Sequence, residues 1–181
     1  MQAGTAVGNT AQSVICNGGL VSDDVVNALL SARIERQDCS NGFLLDGYPR
    51  TVQQARFLDS LLIARELPAA IVLHLDVADE ALVERMTARR QCPRCSRIYN
   101  LKHQPPRAAG VCDDDGATLF TRNDDREDVF RERLRTYVGV TQPVLEYYRD
   151  HRCYRICADG PPDSIFEEIS GLLEQELALC G

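Results

Sequence analysis

Gly42-Phe43-Leu44-Leu45-Asp46-Gly47-Tyr48-Pro49-Arg50-Thr51-Val52-Gln53-Gln54 is the stretch that decides the fold. A short apolar run ends in a carboxylate, turns through Gly47 and Pro49, and delivers Arg50 and Gln54 to the mouth of a helix. The run predicts a strand over 42–46. That strand would put Asp46 at the carboxyl end of a parallel sheet, where open α/β folds bind their ligands. Arg50 offers a rigid fork of donors to an anionic oxygen. Gln54, one helical turn beyond it, carries an amide that can pair with a nucleobase edge.

Outward from this stretch, helices and strands alternate. The pattern predicts a helix over about 5–17 closed by Gly18-Gly19, and a second from a Ser22 cap through 32 with Asp23 and Asp24 in its first turn. An amphipathic helix follows over 51–64. The continuous apolar run 69–75 reads as a parallel strand buried on both faces. A helix over 79–89 carries Leu82 and Met86 on one side, a long helix covers 125–150, a strand 153–158, and a closing helix 165–179. Alternation of this kind means an α/β fold with a mainly parallel sheet. Only three strands are convincing, few for so many helices.

The 181 residues suit one compact domain with a small insertion. A net charge of −7 argues against a general nucleic-acid binder, which needs a basic face, but allows local arginine clusters around a nucleotide. No apolar run is long enough for a membrane span, and the first residues have no signal-peptide character, so no membrane partner is expected and residence is expected to be cytoplasmic.

The eight cysteines are not spaced as a disulfide scaffold. Cys16, Cys39, Cys153, Cys157 and Cys180 are scattered, and plain thiols are expected there in a reducing compartment. Cys92-Pro93-Arg94-Cys95 is a C-x-x-C knuckle, and sixteen residues later Cys112-Asp113-Asp114-Asp115 places an acid where a second knuckle has its second cysteine. Zn²⁺ takes thiolate and carboxylate ligands tetrahedrally, so Cys92, Cys95, Cys112 and Asp115 make a structural site with no open position. Asp113 and Asp114 are close alternatives for the fourth ligand, and unrelated cysteines are the bland alternative to the whole site. A stretch of about 35 residues, 91–125, is too small for its own core, and a metal would supply its folding energy.

Arginines flank this insertion. Arg85 and Arg89 lie four apart just before it, Arg122 follows it directly, and Arg133 lies further along the long helix. Phosphoryl transfer needs positive charge around the moving group and asks little covalent chemistry of the protein. A mobile insertion would bring such residues onto phosphates while excluding water. Any one of them alone reads as a solvated surface residue, and Arg90, Arg94, Arg97 and Arg131 are left in that class.

Taken in order, these motifs resemble the adenylate kinases and their nucleoside monophosphate kinase relatives, over essentially the whole chain. The insertion resembles the zinc-bearing lid of bacterial members. The resemblance implies a P-loop-kinase-like parallel sheet flanked by helices, with residues 1–90 and 126–181 as the core, an AMP-binding helical region over about 1–35, and a zinc-binding lid over 91–125. It implies the reaction MgATP + AMP = 2 ADP, with Mg²⁺ carried by ATP and Zn²⁺ structural. Arg85, Arg89, Arg122 and Arg133 fall on its phosphate-binding arginines, and Asp46 on the acid that helps hold the magnesium shell. Asp124 and Asp125 fall on a pair with lid and hinge interactions. Val21, Gly47, Arg50 and Gln54 fall on AMP contacts, which Arg122 and Arg133 share, and Gly160 on the backbone that meets the ATP adenine. A monomer is implied for the full-length protein.

One departure accompanies the resemblance. No G-x-x-x-x-G-K-[ST] occurs in the 181 residues, and the sequence is expected to start inside the family pattern, without its first strand, phosphate loop and first helix. Three readings follow: a natural protein with a longer start, a truncation of little activity, or a partner chain that fills the gap. The alternative function is a catalytically inactive AMP-binding or zinc-stabilised module. Related kinases with another donor, GTP for example, share much of the pattern.

Overall fold

The structure, a computed structural model, describes residues 22–178. The expected helix over 5–17, Gly18-Gly19 and Val21 lie outside them. The described residues form two units: one runs to Val72 and includes Val140–Arg152, and the other comprises Leu73–Gly139 and the chain from Cys153 onward.

The first unit is helical. Helix α1 (Asp23–Ile34) has Asp23 and Asp24 in its first turn and Arg33 in its last, the order that the helix dipole favours. Ser22 is extended before it, but its side chain makes no cap bond. Helix α2 (Val52–Ala64) opens on Thr51, whose Oγ1 accepts the Gln54 N–H at 3.1 Å. Leu30 and Ile34, one turn apart on α1, meet Leu58 and Leu62, one turn apart on α2, with Leu45 and Tyr48 packed against them. Helix α5 (Gln142–Tyr147) joins α2 through hydroxyls: Tyr147 donates to Asp59 Oδ2 at 2.7 Å, and buried Tyr148 donates to Asp59 Oδ1 at 3.2 Å or Ala55 O at 3.3 Å.

Residues 42–46 are not a strand, which corrects the sequence reading. Gly42 turns with φ +118°, the segment runs irregularly, and Leu44 is 82% exposed. An apolar run favours extended backbone, but a strand exists only through a ladder. Among the described residues no strand pairs with this one.

Strands β1 (Val72–Asp76) and β4 (Cys153–Cys157), which apart from Val72 belong to the second unit, form a parallel pair. The Val72 N–H donates to Arg152 O and the Ala158 N–H to Asp76 O, each at 2.8 Å, so both chains run the same way. Helices α3 (Asp79–Thr87), α4 (Glu127–Thr136) and α6 (Pro162–Ala178) accompany the pair. The expected burial of β1 on both faces does not hold: Leu75 is 52% exposed, because a two-stranded pair covers little of either strand.

Helix α3 stops at Thr87, and the chain leaves it as strand β2 (Arg89–Gln91), antiparallel to β3 (Ile98–Asn100) in the register Arg90↔Tyr99. The small core beside this ribbon is Cys92, Tyr99, Cys112, Ala117 and Leu119. The single long helix expected over 125–150 is also corrected. A 3₁₀ turn (Asn123–Asp125), α4, a π-helical turn (Tyr137–Thr141) and α5 replace it. Gly139 adds no packing, Val138, Val140 and Thr141 are β-branched, and Pro143 supplies no N–H, so the regular ladder widens there.

Candidate phosphate and metal sites

Two turns share one pattern, the first joining β2 to β3 and the second closed by the bridge between Val111 and Thr118. Cys92 O accepts the Ser96 N–H at 3.1 Å while the Cys92 N–H donates to Arg97 O at 2.9 Å. Cys112 O accepts the Gly116 N–H at 3.0 Å while the Cys112 N–H donates to Ala117 O at 2.9 Å. Ser96 and Gly116 close the turns with φ +63° and +70°. Three residues after the first cysteine stands Cys95 in one turn and Asp115 in the other. The fourth-ligand ambiguity is therefore a matter of turn geometry. Asp113 Oδ1 accepts the Arg107 N–H at 2.8 Å and Asp114 pairs with Arg97 at 2.5 Å, whereas Asp115 reaches Cys92 Sγ at 3.2 Å.

Cys95 Sγ lies 3.5 Å from Cys112 Sγ, and one ligand atom from each of Cys92, Cys95, Cys112 and Asp115 falls within 4.8 Å of the others. Tetrahedral ligands about 2.0–2.3 Å from an ion stand roughly 3.3–3.8 Å from one another, so the set fits such an ion. The charges point the same way. The Tyr99 hydroxyl, against burial, helps hold the Cys112 thiol below its ordinary value. At Cys95 the Arg97 N–H pulls downward, but burial and the Cys92 and Cys112 thiols push it up to about 12. A cation between the four ligand atoms would favour the thiolate forms and offset their mutual repulsion.

The arginines divide into two groups. Arg85, near the end of α3, donates to the carbonyls of Ala158 and Asp159 at 3.0 and 3.1 Å, tying the loop after β4. Gly160 follows in that loop, with open space where a Cβ would sit. The others gather on the acid pair. Arg122 forks onto Asp124 with bonds of 3.1 and 2.6 Å, and Arg133 stands 4.0 Å from the same carboxylate with its guanidinium over the Phe130 ring. Burial pushes the Asp124 carboxyl up, and a backbone N–H with the charges of Arg122 and Arg133 outweighs it, leaving the group below its usual range. Arg89 reaches Asp125 Oδ1 at 3.4 Å; Asp125 is 1% exposed and its Oδ2 has no hydrogen-bond partner among the described residues. This burial is invisible in the sequence, where the acid pair reads as a helix start.

In the first unit Arg50 Nε donates to Gly47 O at 2.7 Å. Gly47 has φ +70°, and a Cβ there would stand 2.9 Å from Arg50 Nη2, so the position needs glycine. Gln54 is 5% exposed; its Oε1 accepts the Arg50 N–H at 2.7 Å and its Nε2 donates to Asp23 Oδ1 at 2.6 Å. Asp23 Oδ2 also accepts the Thr51 hydroxyl at 2.7 Å. Sequence reasoning gave Asp23 only a helix-dipole role, and nothing local signals its reach to α2. Asp46 is exposed at the head of this turn.

Comparisons with known proteins show the family. The family model described as ADK: Adenylate kinase matches residues 1–153. An adenylate kinase of Pseudothermotoga lettingae is 38% identical over 188 residues, covering 97% of this chain and 82% of its own. One from Anaeromyxobacter dehalogenans (strain 2CP-C) is 46% identical over 147 residues, covering 81% and 69%, and one from Oceanobacillus iheyensis is 39% identical over 178 residues, covering 97% and 82%. A parallel sheet flanked by helices, with these matches, defines a nucleoside monophosphate kinase. The chain belongs to the adenylate kinase family.

Proposed function

We propose that the protein transfers the γ-phosphoryl group of MgATP to AMP, giving two ADP, and reverses the reaction. The observation that carries this reading is the gathering of Arg89, Arg122 and Arg133 on Asp124 and Asp125 in a chain of this family. The acids Asp124 and Asp125 hold the three guanidiniums on one short segment. Phosphate oxygens would then compete for the same forks, and charge spreading over the transferred group would meet donors already in place. Arg85 and Arg89 take the ATP phosphates in this reading, and Arg122 and Arg133 serve both nucleotides. The backbone around Gly160 meets the ATP adenine. Asp46 supports the water shell of the Mg²⁺ that arrives with ATP.

Arg50 takes the AMP phosphate and Gln54 the adenine edge, with Val21 and Gly47 lining the AMP side. Asp23 and the Arg50 N–H fix the plane of the Gln54 amide, which supports a directional role for it. Residues 91–125 act as a lid on a core of 1–90 and 126–181, with the region to about residue 35 on the AMP side. Cys92, Cys95, Cys112 and Asp115 hold Zn²⁺, which when bound supplies folding energy to the lid and no chemistry to the reaction.

A coupled assay of ADP formation tests the reading. Arg122→Ala and Arg89→Ala should each lower kcat by about 10²-fold or more. Thermal melting should change little in Arg122→Ala, whereas Arg89→Ala leaves the buried Asp125 carboxylate without its cation and should melt lower. Arg50→Ala should act mainly on the KM for AMP. Turnover that survives both lid-stem variants would remove the proposed roles.

A further inference from the structure

A tyrosine packed among metal-ligating thiols has a task beyond filling space. Tyr99 in β3 is 2% exposed, and its ring belongs to the small core with Cys92 and Cys112. The phenol oxygen lies 2.8 Å from the Asp113 backbone nitrogen and 3.5 Å from Cys112 Sγ. A backbone N–H can only donate, so Asp113 takes a lone pair of the phenol. The phenol proton then has Cys112 Sγ as its acceptor, and once Cys112 is a thiolate no other direction of donation is open. The Arg97 guanidinium, itself paired with Asp114, stands over the ring at 5.1 Å and limits its movement.

We infer that Tyr99 is a positioning residue of the metal centre, its hydroxyl donating a hydrogen bond to the Cys112 thiolate and orienting that sulfur toward the ion. The inference rests on the zinc reading above and adds a partner outside the four ligands. A bond to an anionic sulfur is stronger than one to a neutral thiol, so it favours the loaded state over the metal-free state. It also draws charge from the sulfur and blunts its reactivity. Groups of this kind typically change metal affinity 10–100-fold.

The test uses the intact protein loaded with Zn²⁺ and, separately, with Co²⁺. Tyr99→Phe keeps the ring and removes the donor. In competition with a chromophoric chelator it should bind Zn²⁺ about 10-fold more weakly. The sulfur-to-cobalt charge-transfer band should move to longer wavelength, and alkylation of the loaded protein should accelerate. Because Tyr99→Phe also leaves the Asp113 N–H without its acceptor, a second substitution separates donation from packing. Tyr99→3-fluorotyrosine has nearly the same shape and a stronger donor, and should move the band to shorter wavelength. Opposite shifts from the two variants establish the donation. Unmoved band and affinity in both overturn it while leaving the zinc reading intact, and a parent protein that takes up neither ion overturns both.

Discussion

Replacing Asp23 by alanine should loosen the joint between α1 and α2 and, through it, the AMP side. One carboxylate accepts from the Thr51 hydroxyl at 2.7 Å and from the Gln54 amide at 2.6 Å, and it occupies the first turn of α1. Hydrogen bonds to a charged acceptor contribute about 1.5–3 kcal/mol each, toward the low end where water competes. The dipole contributes about 0.3–1 kcal/mol. Gln54 is nearly buried, so its Nε2 would be left without an acceptor. We expect Asp23→Ala to cost about 3 kcal/mol in total, read as a shift of the urea midpoint at unchanged slope. Asp23→Asn should recover less than half, since an amide can accept from one neighbour but turns a second donor toward the other. The KM for AMP should rise with Asp23→Ala, because Gln54 loses its anchor. A loss below about 0.5 kcal/mol, the range of an ordinary surface substitution, would refute the reasoning.

Three further outcomes follow from the same geometry. Gly47→Ala should cost about 1–2 kcal/mol for a side chain at positive φ and push the Arg50 guanidinium off its place, raising the KM for AMP far more than it changes kcat. Burial first, and the Asp23 charge second, push the Tyr48 phenol from 10 up to about 12. A group raised on folding stabilises below its unfolded pKa and loses that contribution as pH rises through the folded value. Stability from Tyr48 should therefore hold to about pH 10 and fall between 10 and 12, a loss that Tyr48→Phe should remove when urea midpoints are compared across that range. Stripping the metal with a strong chelator should lower the melting temperature of the lid. Asp115→Ala should weaken Zn²⁺ binding, while Asp114→Ala, whose carboxylate faces Arg97, should leave it nearly unchanged.

What could be read from the sequence followed the range of the forces. The knuckle over 92–95 and the acid at 115 are local turns, and the structure brings those ligands together. The α2 boundary was legible because Thr51 caps it from within one turn. The strand over 42–46 was misread because pairing needs a neighbour that no local pattern contains. The long helix over 125–150 was misread because helical periodicity persists through a π turn; Gly139 and Pro143 were the available signals. The burial of Asp125 and of Tyr99 is not legible for a common reason: an acid at a helix start and an aromatic in a polar ribbon look solvated until their neighbours are known.

The most direct measurement is ADP formation from MgATP and AMP by the intact, zinc-loaded protein, in parallel with Arg122→Ala. The account predicts AMP-dependent turnover in the parent and a loss of about 10²-fold or more in the variant. A folded, metal-loaded parent that forms no ADP, or an Arg122→Ala variant that turns over at the parent's rate, would contradict it.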